Sequence, residues 1–304
     1  MYLEYYLDKL DYKNMPYFLA KYLYLPSLIR LKKISYFCGM DYASKDIYNF
    51  KELITRYDHS ITTALLTYKL TNDKKATIAA LFHDIATPCF SHVIDYMNKD
   101  YDKQESTEEY HTKILLKEKY LSYLLSQDNL NLEDIIDFKK YSIVDNERPK
   151  LCADRLDGII LTAIGWTKNI DLKDINNIIE DININKNETN EDEIAFNNKK
   201  IANKVIKINN CINKYCHSKE DNYMMELLAR ITKYSIDKEY INYEELYQYT
   251  EKELFNLFIN KNDKVLNEYL LEFKTIKSNE INNINLDKVK VRNINPLVKG
   301  KRII

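Results

Sequence analysis

The stretch Ala76-Thr77-Ile78-Ala79-Ala80-Leu81-Phe82-His83-Asp84, running on through Ile85-Ala86-Thr87-Pro88-Cys89-Phe90-Ser91-His92, decides the architecture. From Ala76 to Phe82 there is no charge and a single hydroxyl, so the helix predicted over Lys75–Ile85 is apolar nearly all round. Such a helix belongs in the middle of a bundle, and Pro88 ends it. An imidazole and a carboxylate, His83 and Asp84, stand at the end of this apolar run. Burying both is costly unless something compensates, and a divalent cation held by neutral imidazole and carboxylate does so directly. Adjacent helical side chains project about 100° apart, so the remaining ligands come from other helices.

Working outward, Ile61, Ala64, Leu65 and Tyr68 fall at i, i+3, i+4 and i+7 and predict a helix from Ser60. A further helix is expected over Phe90–Met97 and another from Thr107 to Leu125. Pro149 opens Lys150-Leu151-Cys152-Ala153-Asp154-Arg155-Leu156-Asp157-Gly158, which leads a buried helix through Ile164. The aromatic and leucine-rich start, Tyr2 to Ile34, with prolines at 16 and 26, reads as short helices feeding the same core. Residues 1–166 are therefore taken as one helical core. Residues 167–200, rich in Asn, Lys, Asp and Glu, read as a polar connector or insertion, and 201–304 as a C-terminal helical region with a basic tail. In that tail Lys288, Lys290, Arg292, Lys299, Lys301 and Arg302 face a single acid, and Val289-Lys290-Val291-Arg292 alternates like a short strand. It is either a solvated edge or a positive lip over an anionic substrate.

Composition narrows the function. Only four glycines occur in 304 residues, with neither GxGxxG nor GxxxxGK[ST], which removes the usual phosphate-cradling loops of α/β nucleotide-binding folds and favours an all-α bundle. The formal charge of −1 speaks against a nucleic-acid partner. No run is apolar enough for a membrane span, and the acidic start is unlike a signal peptide, so a cytoplasmic protein is expected. Five cysteines, an odd number, fit reduced thiols. The Cys211-x4-Cys216-His217 run lacks a second ligand pair and reads as ordinary thiols, and the Asn187 sequon carries no meaning in a protein that is not exported.

Histidine is scarce, five in the chain, yet positions 59, 83, 92 and 111 hold four of them. Three blocks occur in order: Arg56-Tyr57-Asp58-His59-Ser60; His83-Asp84 leading to Phe90-Ser91-His92; and Asp154-Arg155-Leu156-Asp157. In this spacing, over roughly residues 25–166, the chain resembles the HD-domain metal-dependent phosphohydrolases, specifically the branch containing the deoxynucleoside triphosphate triphosphohydrolases. The resemblance implies an HD-domain helical bundle with His59, His83, Asp84 and Asp154 as metal ligands. One or two divalent ions (Mn, Fe, Ni, Zn, Co or Mg) are implied, which suits that mixed imidazole and carboxylate set. It also implies water activated by the metal as nucleophile, no covalent intermediate, and assembly into a homo-oligomer.

His92 and Asp95 lie at i, i+3, so the carboxylate is expected to orient the imidazole and raise its pKa toward that of a general acid, with His111 joining them. Alternatively, His92 and His111 ligate a second ion. Arg56 is placed to bind a substrate phosphate unless it pairs with Asp58 or another acid, and Lys150 and Arg155 are further candidates for phosphate binding. Two positions depart from the triphosphohydrolase pattern. Thr87 stands where a histidine is usual and Gly158 where a tyrosine packs on the sugar, so dNTP specificity does not carry over. Gly158 either opens room for a ligand or allows close helix packing. The expected function is hydrolysis of a phosphoester or phosphoanhydride in a nucleotide-like substrate; the alternative is a nucleotide-sensing or oligomeric scaffold with a weakly active site.

Overall fold

In a computed structural model, which describes residues 1–100, 110–282 and 289–303, helices pack around one shared apolar core. The Arg56–Thr71 helix begins at a reciprocal cap, in which the Thr55 hydroxyl accepts from the Asp58 amide and the Asp58 carboxylate accepts from the Thr55 amide. Asp58 is thereby spent on its own helix. Asn72 ends the helix with a left-handed φ of 50°, and the Asp73 carboxylate at once caps the Lys74–Phe82 helix through the amides of Lys75 and Ala76. The result is a tight helical hairpin whose second arm is buried at every position from Ala76 to Phe82, as its composition requires. The Ala153–Thr162 helix packs across the first arm and runs into a π-helical turn, Ala163–Thr167. Gly165 permits that turn, because a Cβ there would collide with the Phe37 ring.

The helix expected over Phe90–Met97 begins only at Val93, because Phe90 and Ser91 have positive φ angles of 66° and 47°. That kink is uncommon for a bulky residue. It is held by burial of the Phe90 ring against Gly39 and Phe255, and it leads to His92 on the cavity wall. The predicted start at Thr107 lies outside the described residues. From Tyr110 onward that expected helix is two pieces, Tyr110–Lys117 and Leu121–Gln127. The C-terminal region supplies helices Lys199–Cys216, Lys219–Asp237, Glu251–Asn260 and Lys264–Thr275. Among the described residues no helix is long and apolar enough to cross a membrane.

The all-α expectation needs correction, because a small sheet is present. The polar stretch 167–200 folds as the Leu172–Asp181 helix followed by a hairpin of β1 (Ile182–Lys186) and β2 (Asp192–Phe196). The isoleucines are not scattered: Ile175, Ile178 and Ile179 form one buried helical stripe, and Ile182-Asn183-Ile184-Asn185 alternates with the strand period. The tail then returns, with β3 (Leu297–Val298) parallel to β2 and β4 (Lys301–Arg302) antiparallel to β3. The strand expected at Val289–Arg292 is absent. The Arg292 backbone bonds instead to the side chains of Asn213 and Asn209, so its amide and carbonyl are spent on a helix rather than a neighbouring strand. Lys288 lies outside the described residues.

Arg30 joins the N-terminal helices to the C-terminal region. Its Nη1 donates to the Thr87 carbonyl (2.9 Å), Nη2 to Leu246 (3.1 Å) and Nε to Tyr249 (3.3 Å). Replacing it with methionine strands these acceptors, and Arg30→Met should lower unfolding stability by roughly 3 kcal/mol. Urea denaturation checks this, and an unchanged midpoint would count against the stitch.

Candidate metal centre

The two helices of the hairpin and the Ala153–Thr162 helix bring His59, His83 and Asp154 together, their ligand atoms all within 4.8 Å of one another. His59 Nδ1 lies 2.7 Å from Asp157 Oδ2, and His83 Nδ1 lies 2.7 Å from the Ala80 carbonyl. A carboxylate and a carbonyl are acceptors, so each Nδ1 carries the proton and each Nε2 presents a lone pair. Those two Nε2 atoms face each other at 3.2 Å, with Asp154 Oδ1 at 3.0 Å from the first and 3.5 Å from the second. Three electron-pair donors pointing at one spot repel unless positive charge sits among them. This donor set fits a divalent cation.

The electrostatics agree. Burial alone would lower His59, but hydrogen bonds accepted by the Asp154 and Asp157 carboxylates outweigh it and lift the imidazole to about 10. His83 is raised for the same reason, with Asp84 and Asp154 overcoming burial. Asp154, against the cost of desolvation, is held well below the usual carboxylate range by the two histidines. The site therefore draws a cation or, in its place, a proton. Both imidazoles are nearly sealed, whereas the Asp154 side chain is 37% exposed, so the cluster opens on its carboxylate side. That opening leads into a cavity of about 1330 Å³.

Asp84, the fourth expected ligand, stands at the edge of the cluster. Its carboxylate oxygens are 3.8 Å from His59 Nε2 and 3.9 Å from His83 Nε2, and Oδ2 accepts from Arg56 Nη1 at 2.8 Å. Arg56 therefore pairs with Asp84 and not with Asp58, and its guanidinium lies 4.9 Å from the Tyr36 ring centroid. Asp84 is held below the ordinary carboxylate range, Arg56 and the two histidines together outweighing burial.

His92 lines the cavity and donates from Nδ1 to Asp95 Oδ2 at 2.9 Å, the pairing its i, i+3 spacing predicts. The expected rise in its pKa is not found. Desolvation in the cavity wall outweighs Asp95, and the imidazole is lowered below its ordinary value, so it is neutral near pH 7. His111 is buried, with Nε2 donating to the Phe82 carbonyl at 3.0 Å and its ring 5.3 Å from Phe138. Among the described residues, neither His92 nor His111 belongs to a three-ligand group, which leaves a second ion there without support.

Arg155 departs from the phosphate-binding expectation. Its guanidinium donates to the Asn146 side chain and carbonyl and to the Lys150 carbonyl, fastening the 145–150 loop to the helix. Lys150 pairs with Glu191 at 2.7 Å on the cavity wall. Gly158 does not leave an opening, because a Cβ there would lie 2.7 Å from the Tyr36 hydroxyl, and the Tyr36 ring fills the space 5.0 Å from His59. A tyrosine thus reaches the site from another element.

Two residues escaped sequence reasoning. Asp157, fully buried, accepts from His59, from the Tyr6 hydroxyl at 2.6 Å and from the Thr62 hydroxyl at 2.9 Å, so it fixes the tautomer of His59. Its place in the Asp154-x-x-Asp157 block was the available signal. Asp145 forms a second group with Cys152 and Asp154, and its carboxyl is raised by burial and by Asp154; no motif marked it.

Residues 56–158 match the family model described as HD domain. The chain is similar to HD domains over that span. Its histidine–aspartate centre lies within that span, while the 167–303 region lies outside it. Over 113 residues the chain is 32% identical to "Uncharacterized protein YdhJ" of Bacillus subtilis, covering 36% of this chain and 33% of that protein. Over 116 residues it is 29% identical to "Metal-dependent phosphohydrolase cns2" of Cordyceps militaris, covering 38% and 33%. The matches thus span about a third of the length of these relatives.

Loss of the Asp157 carboxylate should free the His59 ring to rotate or switch tautomer. Asp157→Asn is expected to weaken divalent-cation affinity roughly 10–100-fold with the helical content preserved. Calorimetric titration with Mn²⁺ or Zn²⁺ measures this, and wild-type affinity would show that Asp157 serves packing alone.

Proposed function

We propose that the protein is a metal-dependent phosphohydrolase that cleaves a phosphoester or phosphoanhydride bond in a nucleotide-like substrate. The observation that carries this reading is the meeting of two imidazole lone pairs and one carboxylate oxygen at the mouth of a large cavity. The HD domain match supports it, as does the relative whose name is metal-dependent phosphohydrolase. The order and spacing of the three motif blocks favour the triphosphohydrolase-like branch; Thr87 and Gly158 leave the substrate within that branch open.

A divalent cation held by His59, His83, Asp154 and Asp84 would supply Lewis-acid polarisation of a phosphoryl oxygen and of water. The chain's own groups do the rest. Arg56, which donates to Asp84 through Nη1 and lines the cavity, would donate to a phosphate oxygen through its remaining N–H groups. His92, neutral and oriented by Asp95, takes the proton of the attacking water at Nε2 and returns it to the leaving oxygen. Asp95 stabilises the imidazolium between those steps. Lys150 and Arg155 build the wall, and His111 steadies the turn that carries His83. The reading takes the protein to be cytoplasmic and oligomeric.

Protein purified without chelator should contain a divalent metal by element analysis. Incubated with a nucleotide panel and Mn²⁺, Fe²⁺, Ni²⁺, Co²⁺, Zn²⁺ or Mg²⁺, it should release triphosphate, pyrophosphate or phosphate. His83→Ala should remove metal and activity together. Asp95→Asn should keep the metal and lower kcat by about 100-fold. Tight nucleotide binding with no product under any metal would replace this reading with a ligand-sensing scaffold.

A further inference from the structure

Tyr36 lines the cavity beside the histidine–aspartate cluster, and among the described residues no group accepts from its hydroxyl. The position of that hydroxyl is fixed from both ends. On the backbone side, the Tyr36 amide donates to the Ile54 carbonyl at 3.0 Å and the Arg56 amide to the Ile34 carbonyl at 2.9 Å. Segment 34–36 is thereby held against the start of the helix that carries Arg56 and His59. The ring then packs on the site itself, with its centroid 4.9 Å from the Arg56 guanidinium and 5.0 Å from the His59 ring.

At its far end the hydroxyl sits over Gly158, where a Cβ would lie 2.7 Å from it. Gly158 comes four residues after Asp154 on one helix, so the two share a face and the hydroxyl lies along it. A glycine inside a helix is destabilising relative to alanine. The room it leaves for the hydroxyl is the reason that the packing supplies. A phenol is protonated at neutral pH and donates. Arg56 brings further N–H donors to the same wall, and a cation among His59, His83 and Asp154 would add positive charge. Donors and positive charge gathered at one place call for a ligand with several acceptor oxygens; an amine or an alkyl group would leave them unmet. We propose that the Tyr36 hydroxyl donates to an oxygen of a phosphate group bound at this centre, and that position 158 is glycine to leave room for it. The proposal rests on the phosphohydrolase reading for the identity of the ligand as phosphate.

Tyr36→Phe removes the hydroxyl and keeps the ring. The protein loaded with Mn²⁺ is titrated calorimetrically with inorganic phosphate and with pyrophosphate. Tyr36→Phe should weaken binding of both roughly 10-fold, with metal content and the urea midpoint at wild-type values. Gly158→Ala should weaken binding in the same direction by displacing the hydroxyl, and should add little in the Tyr36→Phe background, where no hydroxyl remains to displace. Unchanged affinity in Tyr36→Phe overturns the proposal and leaves the phosphohydrolase reading standing. Additive losses in the double variant overturn the pairing of the hydroxyl with Gly158. Phosphate binding that Tyr36→Phe weakens, with no nucleotide hydrolysed under any metal, supports the proposal and sinks the phosphohydrolase reading. No phosphate binding by the metal-loaded wild-type protein overturns the proposal even if a variant fails to fold.

Discussion

Two buried imidazoles that turn their lone pairs toward each other are the constraint on which the rest of this structure depends. Each ring is locked from behind, His59 by Asp157 and His83 by the carbonyl of Ala80. With both Nδ1 protons committed, neither ring can relieve the repulsion by switching tautomer. Positive charge must enter from the Asp154 side, which is the side open to the cavity. The fully buried Tyr6 and Thr62 groups behind Asp157 complete a polar layer inside an otherwise apolar core. Such a layer stays rigid only when every member has a partner.

The lining of the cavity comes from different parts of the chain. The helical hairpin and the Ala153–Thr162 helix supply the histidine–aspartate cluster, while Asp221 and Arg292 come from outside the residues that match the HD domain model. The turn from Asp84 to His92 is anchored on both the N-terminal helices and the C-terminal region. The Thr87 carbonyl accepts from Arg30, and Cys89 donates its amide to the Leu246 carbonyl and its thiol to the Tyr249 carbonyl. The C-terminal region thus fixes the position of His92 without donating a ligand.

Desolvation orders the charges around the centre. It lowers His92 in spite of Asp95, against the rise that their spacing alone predicts. Carboxylates around His59 reverse the same effect within the same cavity. Local sequence put an acid beside each histidine; the number of carboxylates that converge on each decides the sign.

The apolar run ending at His83, the i, i+3 pairing of His92 with Asp95 and the block Asp154–Asp157 were legible because each is a relation between near neighbours on one helix. Helix periodicity therefore sufficed for the bundle and for the candidate ligands. The sheet was overlooked because β1 and β2 lie in a polar segment and β2 meets β3 only across about a hundred positions, Ala195 opposite Leu297. Likewise Arg56 turned to Asp84, Arg155 to its own loop and Tyr36 into the space at Gly158. Side chains of that length reach several helices at once, so their partners are set by packing. The residue types that meet at the centre were written in the chain; which oxygen faces which nitrogen, and where the cavity leads, was decided only when distant helices came together.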